Sequence, residues 1–120
     1  MSLEIQVQNL IDLAEENKVS SVSAHDVTSW SSVTDSILVM SVTNITHCNS
    51  LSERIIQWFK DLPNEKEEFF CPPKVSGDAQ SGWVILDANS IIVHILLEEL
   101  TDYYQLDTLF SRNGGSKDPN

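Results

Sequence analysis

The chain has 120 residues, with 18 acidic against 7 basic side chains and a formal net charge of -11 at pH 7. That length suits one domain with its own core, and so acidic a chain disfavours direct contact with nucleic-acid phosphates. No apolar run reaches the ~18 residues that span a bilayer.

The opening MSLEIQVQNLIDLAEE lacks the basic and apolar regions of a secretory signal, and its acidity argues against an organelle transit peptide. The expected setting is therefore cytoplasmic, with no membrane contact. A basic protein is the partner that an acidic surface steers toward itself.

Leu3, Val7, Leu10, Ile11 and Ala14 recur at helical spacing. They predict a first helix over 2–17, closed by Asn17-Lys18. Val22 to Val27 reads as a short strand. TSWSSVTD, at 28–35, is a Ser/Thr-rich connection carrying Trp30. SILVMSV, at 36–42, is short, apolar and rich in β-branched residues, as a buried strand is. Cys48, Leu51, Ile55, Phe59 and Leu62 then mark one face of a second helix. Ser50 followed by Glu53 fits a capping box at its start, with Asn44 or Thr46 as earlier alternatives, and Pro63 marks its end. Trp58 lies beside that stripe.

Residues 64–81 are mostly loop by composition, with a short edge strand expected from Phe69-Phe70 and Pro73–Val75. Trp83–Leu86 and Ile91–Leu97 flank the turn-forming DANS and predict a β-hairpin. Neither arm alternates between apolar and polar residues. Both hairpin faces are therefore expected to be covered, the two long helices having the apolar stripes to do it. Glu98–Tyr104 reads as a short helix and 106–110 as a last turn. SRNGGSKDPN, at 111–120, reads as a disordered tail. Helices and strands interleave, which predicts one α/β layered domain over 1–110: a mixed β-sheet of about five strands flanked by helices.

Local chemistry is sparse. Cys48 and Cys71 form no CxxC pair and are expected to be structural. His25, His47 and His94 have no second ligand at metal-binding spacing, so no metal or other cofactor is expected. There is no GxxxxGK[ST], GxGxxG or GxSxG. Asp26, Asp35 and Asp87 stand near strand ends, where a carboxylate cluster would support an enzyme reading and turn-making is the ordinary one. His94 shares a strand face with Ile92 and Leu96, a setting for packing or an interface rather than catalysis.

Three segments together resemble one family. AHDVTSWSSVTDSILVMSVTN at 24–44 fits a strand, Ser-rich turn and second strand. GWVILDANSIIVHILLEE at 82–99 fits a Trp-led hairpin with Val-His in its second arm. YYQLDTLF at 103–110 fits a Tyr-Tyr, Leu-acid, Leu-aromatic ending. The chain is similar in these to the bacterial ribosomal silencing factor, or Iojap-like, family. It departs from the family pattern at Val42–Thr46, where a glycine and an arginine are missing, at Ser76-Gly77, at Ala88-Asn89-Ser90 and at Phe110.

The resemblance implies a nucleotidyltransferase-like sheet without the active site, and a translation repressor that is not an enzyme. Such a factor would bind the large ribosomal subunit through its fourteenth ribosomal protein and sterically block joining of the small subunit. It also implies a possible homodimer, and no direct nucleic-acid site is expected. Trp83, Tyr103, Tyr104 and Phe110 are the expected aromatic anchors. Asp87 and Glu98 would pair with basic residues of the partner, and His94 belongs to the same surface. The competing expectations are a degenerate metal-dependent nucleotidyltransferase-like enzyme and a dimerising scaffold.

Overall fold

A computed structural model describes residues 3–28, 34–62 and 73–104. The elements run α1 (Leu3–Glu16), β1 (Ser21–Asp26), β2 (Ser36–Val42), α2 (Ile45–Lys60), β3 (Lys74–Asp78), a 3-10 turn (Ala79–Ser81), β4 (Trp83–Asp87), β5 (Ile91–Leu97) and α3 (Glu98–Tyr104). The strands form one five-stranded sheet in the order β1-β2-β5-β4-β3. β2 and β5 pair in parallel and every other pair is antiparallel, so the sheet is mixed as expected. Trp30, Pro63, Phe69, Phe70, Cys71 and everything from 105 on, including the expected last turn, Phe110 and the tail, lie outside the described residues.

β2 is an interior strand, between β1 and β5, and is buried along its whole length. Leu38, Met40 and Val42 point to one face of the sheet, where Val93 and Ile95 of β5 and Val84 and Leu86 of β4 join them. The apolar stripes of α1 (Leu10, Ala14) and α2 (Cys48, Leu51, Ile55, Phe59) pack on that same face. Burial pushes the Cys48 thiol above its ordinary pKa, as befits a small core residue.

Both long helices thus cover one face. The expectation that they would cover both is corrected: an amphipathic stripe says that a helix buries one side, not which side of the sheet receives it. Among the described helices, only the seven-residue α3 packs on the second face.

α2 begins at the earlier of the expected starts. Asn44 is its N-cap, and its side chain accepts from the His47 backbone N–H at 2.7 Å. Ser50 lies inside the helix, where its hydroxyl donates to the His47 carbonyl at 3.3 Å, so the Ser50–Glu53 capping box does not form. The His47 ring ties the two helices together, Nε2 donating to the Asn17 carbonyl at 2.7 Å.

α1 closes at Asn17-Lys18 as the sequence suggests. Lys18 takes φ 61, its N–H donates to Glu15 O, and Val19 N–H donates to Ala14 O. That pair of bonds is a Schellman closure, whose left-handed residue is usually glycine. A side chain there costs about 1 kcal/mol. Lys18→Gly should therefore stabilise the fold by about 0.5–1 kcal/mol, after the lost helix-end cation is counted. Denaturant unfolding at constant m-value measures the gain, and a loss of stability would mean that Lys18 makes contacts outweighing its backbone strain.

Candidate interaction surface

The second face of the sheet is set by strand register. Ile37, Val39 and Ser41 of β2 lie beside Ile92, His94 and Leu96 of β5. The latter lie beside Asp87, Ile85 and Trp83 of β4, and Lys74, Ser76 and Asp78 of β3 complete the edge. Ile37, Val39 and Leu96 are buried, while Trp83, Ile85, Asp87, Ile92 and His94 are only half-buried. The hairpin is apolar on both sides in sequence, but its burial alternates along both arms through most of their length.

α3 closes one end of this face. Leu100 packs with Val27, Ile37, Val39 and Leu96 as part of a second, smaller apolar cluster that also takes in Trp83. Ser41 Oγ and Thr101 Oγ1 are 2.8 Å apart, a hydroxyl pair that pins the helix to β2. Gly82 turns the chain into β4 immediately before Trp83. Its φ of 85 suits glycine, and a Cβ there would press on the side chains of Leu97 and Leu100.

His94 is at the centre of the face, between Val39 and Ile85 across the strands. The Trp83 indole Nε1–H donates to His94 Nδ1 at 3.1 Å, the two rings tilted at 53° with centroids 6.0 Å apart. An imidazole accepting at Nδ1 carries its hydrogen on Nε2 and is neutral. Burial works in the same direction, lowering the His94 pKa from 6.5 to about 4.

The other expected contact residues are distributed around this pair. Asp87 closes β4 at the end of the face away from α3, and its Oδ1 accepts from Asn89 N–H at 3.0 Å, shaping a hairpin turn in which Asn89 takes φ 76. Glu98 is exposed at the start of α3, so carboxylates stand at both ends of the apolar strip. Tyr103 and Tyr104 are the last residues of α3, their side chains outside the described set. Ile92 lies on the face of His94 as the strand spacing predicts, whereas Ile85 was missed, because an apolar residue in the other arm carries no sign of the face it occupies.

The three aspartates of the enzyme reading do not meet. Asp26 belongs to the helix-covered side by register and Asp87 to the opposite face. Asp26 and Asp35 do share a cleft of about 520 Å³ beside α1, with Glu4, Val7 and Ala24. The Thr28 backbone N–H and hydroxyl both donate to Asp26 and hold its carboxyl below the usual carboxylate range. Among the described residues no group of three His, Cys, Asp or Glu side chains could hold a metal ion, and no helix is long and apolar enough to cross a membrane.

In class, this is a single-sheet α/β domain with both long helices on one side and a half-open apolar face on the other. Its residues 1–119 match the family described as "Ribosomal silencing factor during starvation", and the chain belongs to that family. It is 19% identical over 108 residues to a Mus musculus protein, "Mitochondrial assembly of ribosomal large subunit protein 1", a match covering 90% of this chain and 46% of the mouse protein. The chain thus spans less than half the length of that relative.

Solved structures share the fold. The X-ray crystal structure of a protein from Chromobacterium violaceum has a TM-score of 0.79 at 19% identity, covering 100% of this chain and 92% of that one. The crystal structure of a Bacillus halodurans protein has a TM-score of 0.70 at 18% identity, covering 88% and 93%.

The depressed His94 pKa has a consequence for stability. Between pH 6.5 and about 4 the unfolded chain binds a proton on this residue that the folded chain does not. The stability that neutral His94 confers is therefore complete above pH 6.5 and is lost as pH falls through that window. From pH 7 to pH 4.5 the wild type should lose about 2 kcal/mol more than His94→Phe, measured by urea unfolding. Equal losses in the two proteins would show that His94 titrates as it does in water.

Proposed function

We propose that this protein is a ribosome-associated factor that binds the large subunit through the half-open face of its sheet and thereby obstructs joining of the small subunit. Family membership supports the ribosome as the target. The name of the mouse relative points to the large subunit. The observation that carries the choice of face is the strip of Trp83, Ile85 and Ile92, half-buried around His94 and bounded by Asp87 and Glu98.

The physical case is one of complementarity. An apolar centre with a polar rim is how protein interfaces are built, and tryptophan is among the residues that carry most of their energy. The carboxylates at the two ends favour a partner with lysine or arginine at matching positions. With a chain charge of -11, rRNA phosphate would repel this surface. The contact is therefore with a basic ribosomal protein, the fourteenth of the large subunit being the one that the family resemblance implies. The mechanism is steric: a surface needed for subunit joining is occupied, with no chemical step.

Sedimentation with isolated subunits, followed by a joining assay, tests the proposal. The wild type should travel with large subunits alone and reduce joining. Trp83→Ala should weaken binding by on the order of 30-fold with the fold intact. Asp87→Lys should weaken it less at physiological salt, and the deficit should shrink as salt rises. Full binding by a folded Trp83→Ala protein would move the contact off this face.

A further inference from the structure

Trp83 is the largest half-buried aromatic on the second face, and its one polar atom is directed along the sheet rather than outward. The indole Nε1–H has His94 Nδ1 as acceptor at 3.1 Å. The two residues are diagonal neighbours on adjacent strands: Trp83 lies opposite Leu96, and His94 lies opposite Ile85. Both backbones are fixed by the antiparallel ladder, so this hydrogen bond, beside the packing of the ring on the Leu96 cluster, restrains the rotation of the indole about its side-chain bonds. His94 is itself held between Val39 and Ile85 and flanked by Ile92 and Leu96, all apolar.

We infer that His94 is a positioning residue for partner binding: its Nδ1 lone pair clamps the Trp83 indole in the orientation in which the ring meets the partner. This rests on the proposed use of the face and assigns His94 a distinct task within it. The clamp does two things. It removes rotamer freedom before the partner arrives, so less ordering is needed on binding. It also satisfies the indole N–H within the protein, so the exposed part of the ring is apolar and the partner need not supply an acceptor. A histidine protonated at neutral pH would fail in the second task, because an imidazolium donates from both nitrogens and accepts at neither.

Packing and clamping make opposite demands on position 94, which allows them to be separated. Asn carries its carbonyl oxygen on Cγ, where His carries Nδ1; it keeps the acceptor and loses ring volume. Phe keeps the ring and loses the acceptor. His94→Asn should bind large subunits within about threefold of the wild type, and His94→Phe should be weaker by on the order of tenfold or more. A residue that only fills space would give the reverse order.

A second readout needs no ribosome. The Trp83 indole N–H resonance, identified by its loss in Trp83→Phe, should stay near its wild-type position in His94→Asn and move toward the position of a free indole in His94→Phe. Binding by Phe equal to or better than Asn, or an indole resonance indifferent to both substitutions, overturns the clamp. If instead the resonances behave as stated while neither the wild type nor any variant binds large subunits, the clamp stands as geometry and the proposed target is what fails.

Discussion

The parallel pairing of β2 with β5, from Ser36 opposite Ile91 to Val42 opposite Leu97, is the constraint on which the rest of the molecule depends. Parallel neighbours cannot be joined by a tight turn, so the chain must leave the sheet after β2 and return. Here it returns through α2, the edge strand β3 and the hairpin arm β4. The ladder buries β2 along its full length and fixes which side chains of β5 face which way. A slip of one residue would exchange His94 for Val93 on the second face and place a polar ring against α2. The core therefore selects the register, and the register places His94 at the centre of the candidate surface.

From that register follows the asymmetry between the two faces. Leu38, Met40, Val93, Ile95, Val84 and Leu86 lie beneath two long helices. The opposite face is apolar only in its middle strands, with Ser21, Ser23 and His25 at one edge and Lys74, Ser76 and Asp78 at the other, and of the described helices only α3 packs on it, fastened by the Ser41–Thr101 hydroxyl pair and by Leu100. An apolar strip left half-open in the middle of a sheet is a common mark of an interaction surface. The half-burial of Trp83, Ile85 and Ile92 is consistent with a surface kept available, and the Trp83–His94 bond keeps its largest member in one orientation.

Much of this was legible in the sequence, and what was not has definite physical causes. The length and β-branched content of SILVMSV favour a short buried strand over a helix, and the limits of β2 are those its composition predicts. The hairpin followed from DANS, because Asp87 and Asn89 supply the side-chain acceptor and the left-handed residue that the turn needs. The start of α2 was harder to choose. Its first turn, Ile45–His47, is largely exposed, so the apolar stripe that reveals the helix begins only at Cys48, and the Ser50–Glu53 pattern offers a rival cap. Trp83, His94, Asp87 and Glu98 were legible as a neighbourhood, and Ile92 as sharing the face of His94; Ile85 was not. In arms that do not alternate, the strand period groups residues within an arm but does not say which group faces the helices, and only pairing with β2 supplies that.

Charge is the remaining link between this fold and a role on the ribosome. The described basic residues nearest the candidate strip by register are at the β3 edge, where Lys74 lies opposite Asp87. The strip itself is neutral because His94 is uncharged at physiological pH, and its ends carry Asp87, opposite Lys74, and Glu98. A protonated His94 would add a cation to the middle of an apolar surface proposed to meet a basic partner, opposing both desolvation and steering. Partial burial between Val39 and Ile85 opposes this by lowering the His94 pKa. The same burial that makes His94 a poor general base at neutral pH makes it a dependable hydrogen-bond acceptor, and a dependable acceptor is what an anchoring tryptophan on this face requires.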